Sequence, residues 1–99
     1  MKPPRTPEHY LAIISYIYEL THGLNKQDRA NVGIEVSIER GFDTQSEIIF
    51  ILRHLGVLPS HIAVVLKKGA GGPDRHRWQR DEKGVYSLHP VAEPGDLVQ

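Results

Sequence analysis

The chain has no cysteine, one methionine and one tryptophan, and its formal charge sums to zero over 99 residues. Without cysteine there is no disulfide staple, no thiolate nucleophile and no cysteine-ligated zinc, so stability must come from packing, and a reducing compartment fits. Long apolar runs are missing as well. The longest, among them Ile48 to Leu52, span five residues, against the roughly 20 needed to cross a bilayer, so no membrane span is expected. The opening MKPPRTPEHY holds no apolar stretch of the secretory type, and a cytoplasmic location is the default expectation. A 39% hydrophobic content at this length is enough for one modest core. The expected organisation is an extended lead over 1–5, a single domain over 6–89, and a disordered tail over 90–99, which carries Pro94-Gly95 and two acids.

The neutral total conceals an uneven distribution. Residues 67–83 carry six Lys/Arg against three acids, whereas residues 8–53 carry four against seven. Phosphate neutralisation supplies most non-specific affinity for nucleic acid, so only the C-terminal third is electrostatically suited to such a partner.

Capping signals and periodicity place the helices. Thr6, Pro7 and Glu8 form a helix start, and the helix should run to about His22, with Gly23 as its stop. Tyr10, Leu11, Ile13, Ile14, Ile17, Tyr18 and Leu20 fall on one broad arc of that helix, taken as its core side. Residues 25–40 are ambiguous: Val32, Ile34, Val36 and Ile38 alternate as in a half-buried strand, while Asn25, Asp28, Arg40 and Gly41 supply a full set of helix start and stop signals. Helix is favoured, and its apolar residues would need burial on two sides. Thr44-Gln45-Ser46-Glu47 fits a capping box and opens the most secure helix, 44–55. Its core stripe is Ile48, Ile51, Leu52 and Leu55, and Ser46, Phe50 and Arg53 point the other way. Phe50 on an outer face implies a second packing surface, from this domain or from a subunit. Segment 60–68, SHIAVVLKK, is either a short Ser60-capped helix or a strand.

Residues 76–88, HRWQRDEKGVYSL, place two aromatic-bearing runs around a polar turn, Asp81 to Gly84, and so predict a β-hairpin. Trp78 and Tyr86 belong first to the core list. The preceding Gly69-Ala70-Gly71-Gly72-Pro73 reads as a flexible connection, since neither the ending of a P-loop nor the GxGxxG spacing is present. The expected fold class is therefore α+β, a small three-helix bundle with a C-terminal β-hairpin.

A helical block with GFDTQSEIIFILRHLG as its third helix, followed by a Trp/Tyr hairpin, resembles a winged helix-turn-helix DNA-binding domain over about residues 7–89. Locally, ERGFDTQSEIIFILR over 39–53 is similar to the turn and second helix of ribbon-helix-helix repressors, in which such a helix packs in an intertwined dimer. The first resemblance implies a small, transcription-regulatory module for duplex DNA. Arg75, Arg77, Arg80 and Lys83 of the wing, with Lys67 and Lys68 before it, would approach phosphate or a minor groove, and Gln45, Ser46 and Arg53 would face the major groove. The bland reading of each cation is a solvated surface.

Other chemistry finds little purchase. The histidines lack the spacing of a metal site, and Ser87 and His89 share a strand face without a nucleophile elbow or a placed acid. No cofactor, small-molecule substrate or enzymatic activity is expected. The alternative to DNA binding is a non-catalytic interaction or assembly module, homodimeric or bound to another protein, that uses the apolar faces around Phe50. A third is an accessory domain whose chemistry lies in a partner chain.

Overall fold

A computed structural model describes residues 5–72 and 77–89. The expected lead, apart from Arg5, and the expected tail lie outside those residues, as does Arg75. The fold is α+β: helices α1 (Pro7–Thr21), α2 (Lys26–Glu39), α3 (Gln45–Arg53) and α4 (Pro59–Gly69) precede a hairpin of β1 (Trp78–Arg80) and β2 (Tyr86–Leu88). Four helices stand where three were expected, because 60–68 resolves as helix. Among the described residues no helix is long and apolar enough to cross a membrane.

The local signals explain most boundaries. Thr6 accepts from the His9 amide, and Pro7 occupies the first turn of α1, where its missing N–H costs nothing. Asn25 accepts from the Asp28 amide at 2.8 Å and starts α2. The end of α2 is a Schellman motif, with Gly41 at φ +92°, its amide on the Ile38 carbonyl at 3.0 Å and the Phe42 amide on Ser37 at 2.8 Å. These two caps decide the strand-or-helix ambiguity. In helical form Ala30, Ile34 and Ile38 are buried in one stripe, and Val32 and Val36 are half-buried on its flanks. Gly33 lets α3 approach closely, since a Cβ there would lie 3.1 Å from Leu52 Cγ.

Thr44 caps α3 by accepting from the Glu47 amide at 3.4 Å, but the expected box is only half made. The Glu47 carboxylate accepts from the Thr44 hydroxyl at 2.9 Å rather than from the Thr44 amide. It also pairs with Arg5 and accepts from the Tyr10 hydroxyl, so its reach is spent on tying α1 and the chain before it to α3. Burial, followed by the Glu47 charge, pushes the Tyr10 phenol up and keeps it a neutral donor. Ser60 does not cap α4. Leu58 holds that position without a side-chain hydrogen bond, and Pro59 begins the helix.

The core runs through all four helices and the hairpin, from Ile17 and Ile34 through Ile48, Leu52 and Ile62 to Trp78 and Tyr86. Trp78 is 1% exposed, and its indole N–H donates to the Leu66 carbonyl at 2.9 Å. Gly69 lies directly against this ring, and any Cβ there would overlap it. The expected flexible connection is therefore ordered where it is described: Gly69 ends α4, Ala70 bridges to Trp78, and the Gly71 amide donates to the Trp78 carbonyl at 3.0 Å.

The predicted hairpin is present, with Trp78 opposite Leu88 and Arg80 opposite Tyr86. Asp81 accepts from the Lys83 and Val85 amides at 2.8 and 2.9 Å, and Gly84 takes φ +81°, which closes the turn. A bridge from Val85 to Thr44 and a 2.8 Å bond from the Tyr86 amide to the Asp43 carbonyl fix the hairpin to the chain entering α3.

Candidate functional site

Two faces of this scaffold remain chemically distinctive, and they differ in composition. The first is built from α4 and the hairpin. Residues 62, 65 and 66 of α4 enter the core, whereas Ser60, Val64, Lys67 and Lys68 stay exposed and His61 half-exposed. With 3.6 residues per turn, positions 60, 61, 64, 67 and 68 form one continuous stripe. Its two lysines sit in the last turn, where the helix dipole favours cations. Gln27 and Asn31 of α2 line the cleft beside His61, Val64 and Lys68, so the stripe continues onto a polar wall.

The hairpin contributes unevenly. Arg77 is paired with Glu35 of α2, which makes it part of the hairpin's attachment. The Arg80 guanidinium lies 6.0 Å over the Tyr86 ring, and Lys83 is exposed in the turn. Asp81 is committed to that turn: the Val85 amide, then the Lys83 amide and charge, hold its carboxyl below the usual range.

The residues grouped for major-groove contact are spread along α3, with Ser46 and Arg53 on the same side of the helix as Phe50. Gln45 and Ser46 are exposed in the first turn of α3, beside the point where Val85 bridges to Thr44. Arg53 is at the opposite end of the helix, with its guanidinium 5.6 Å over Phe50. It belongs to the second face.

That second face joins α1 to α3. Phe50 is 37% exposed and packs edge-on to Tyr10 with ring centroids 5.1 Å apart. A recess of about 390 Å³ opens beside it, with Pro7, Leu11 and Ile14 on one wall and Phe50 and His54 on the other. Leu11 is 63% and Tyr18 50% exposed. These two, with Leu20, correct the expectation of one broad buried arc on α1, whose buried residues are Ile13, Ile17 and Thr21. The apolar arc is wider than the side a helix can bury against one layer.

Sequence reasoning missed the open stripe of α4, because nine residues did not decide helix from strand. It also missed the exposure of Leu11 and Tyr18, which carried the same apolar signal as the core. Among the described residues no group of three or more His, Cys, Asp or Glu side chains is gathered as metal ligands would be. His54 bonds the Phe50 carbonyl and His89 the Gly71 carbonyl, so two of the histidines considered have local structural partners.

No protein-family model, curated protein or solved structure matches this chain.

Proposed function

We propose that this chain is a small, transcription-regulatory module that binds duplex DNA, with α3 and α4 as its helix-turn-helix and α4, not α3, as the helix that enters the major groove. The observation that carries this reading is the order of elements around α4. Two helices are joined through residues 54–58 with Gly56 at φ +86°, and a hairpin follows whose second strand is bonded back to the chain entering the first of them. A glycine-bearing turn between two helices is what a helix-turn-helix requires. The hairpin then has the place of a wing, and α1 is an addition in front of the three helices that precede it.

The roles divide by chemistry. Ser60, His61 and Val64 lie toward the N-terminal part of α4, the part that meets base edges in a helix-turn-helix. A hydroxyl serves as donor or acceptor, an imidazole reads acceptors or donors according to its tautomer, and an aliphatic side chain packs against a thymine methyl. Lys67, Lys68, Arg80 and Lys83 neutralise phosphate, and Gln45 and Ser46 at the start of α3 lend backbone and side-chain donors to a neighbouring phosphate. Arg77, held by Glu35, orients the hairpin.

Titration of a fluorescently labelled mixed-sequence duplex, followed by anisotropy, tests the reading. Saturable binding that weakens steeply between 50 and 200 mM salt supports it, because counterion release demands that dependence. Absence of binding at low salt, with the helical circular dichroism intact, overturns it. Trp78 is unsuited as the reporter, since its burial makes its fluorescence a measure of folding.

A further inference from the structure

We infer that the apolar face formed by α1 and α3 is covered by the same face of a second copy of this chain, related by a two-fold axis along the recess between the two helices. The face has the two parts that self-pairing needs. It has a recess, between Leu11 and Ile14 on one side and Phe50 and His54 on the other. It has projecting apolar groups, Leu11 and Tyr18, at least half of whose surface is open. An isologous interface requires that the same patch supply both, because residue i on one copy meets residue j on the other, and j meets i.

Charge selects the occupant and its orientation. On the helical wheel Pro7, Leu11, Ile14 and Tyr18 form an uncharged stripe, and Glu8 and Glu19 line its edge away from α3. Arg53, exposed beyond Phe50, lines the opposite edge of the face. The face therefore runs from acidic through apolar to basic. A two-fold axis in its plane and parallel to α1 turns the second copy so that each acidic edge lies over a basic edge, while Leu11 of each copy meets Phe50 and His54 of the other. Charge-depleted centres with aromatic residues and arginine are what protein interfaces select. A partner of one charge sign would meet repulsion along one edge, whereas a second copy offers each edge its opposite charge, and Arg5, which also lines the recess, is paired with Glu47 of its own chain.

The experiment is sedimentation velocity of the full chain without DNA, over about 1–200 µM, so the outcome stands whether or not DNA is bound. A concentration-dependent monomer–dimer equilibrium that stops at the dimer is expected. Leu11→Glu, at an exposed position that spares the core, should weaken the dimer about a hundredfold, because the contact is lost twice in a symmetric pair. Arg53→Glu alone should weaken it about tenfold, and adding Glu8→Arg and Glu19→Arg should restore most of the loss. A chain that stays monomeric throughout overturns the inference. A dimer indifferent to Leu11→Glu, or growth past the dimer, overturns the assigned face or its two-fold closure. Circular dichroism of each variant confirms that the fold is retained.

Discussion

The two faces are made from the same kind of element yet treat apolar residues in opposite ways. On α4 the apolar residues Ile62, Val65 and Leu66 go inside and leave a stripe that is mostly polar and cationic. On α1 only Ile13 and Ile17 of the apolar residues are fully buried, and Leu11 and Tyr18 stay outside. The proposals follow from that contrast: a stripe of lysines beside hydroxyl and imidazole suits phosphate and base edges, and an uncharged stripe with a recess suits another apolar surface. The two also differ in how they are held. The Glu47, Tyr10 and Arg5 cluster fixes α1 to α3, whereas the α4 side depends on Trp78 seated on Gly69.

That dependence makes the largest effect. Trp78→Ala should cost about 3–5 kcal/mol in denaturant unfolding, the range for emptying a large aromatic site, and should release the hairpin from α4. A loss under 1 kcal/mol would show that the hairpin is held by something else. Gly69→Ala attacks the same contact from the other side. The methyl overlaps the indole, so about 1–3 kcal/mol should be lost, even though alanine is the better helix former. An unchanged midpoint would contradict the packing described.

Smaller effects separate the faces. Thr44→Ala removes the cap of α3 and should lower stability by about 1 kcal/mol, seen as a shift in denaturation midpoint with unchanged slope. Asp81→Asn should act least, and through pH. Because its folded carboxyl is held below the usual range, its contribution is present above the unfolded value of about 3.9 and fades as pH falls through the folded one. The wild type and Asp81→Asn should therefore converge in thermal stability in strong acid and differ slightly at neutral pH. A difference that grows on acidification would contradict the turn described.

Much of this fold was legible in the sequence, and for identifiable reasons. Thr6, Asn25 and Thr44 announced three helix starts, Gly41 announced a stop, and Asp81 to Gly84 announced the hairpin, since caps and turns are local chemistry. The α2 segment was ambiguous because Val32 to Ile38 alternate, and capping together with burial between α1 and α3 decided it. What was hidden was tertiary. Gly69, Ala70 and Gly71 looked like a linker because their partner, Trp78, lies several residues on. Segment 60–68 was too short to show its period, so the exposed stripe of α4 went unseen. Leu11 and Tyr18 looked like core because side-chain chemistry does not say which side of an apolar helix will be covered.

The claim that α4 carries the DNA-facing side is tested most directly by comparing the wild type with the Lys67→Ala/Lys68→Ala double variant, using duplex anisotropy at 50 and 200 mM salt. Both lysines are exposed and outside the core, so the variant should fold normally. If they neutralise phosphate, the salt slope should fall by about 2 per copy, and the variant should lose about tenfold less affinity across that salt range than the wild type. Equal slopes and equal affinities for the two proteins would contradict the account.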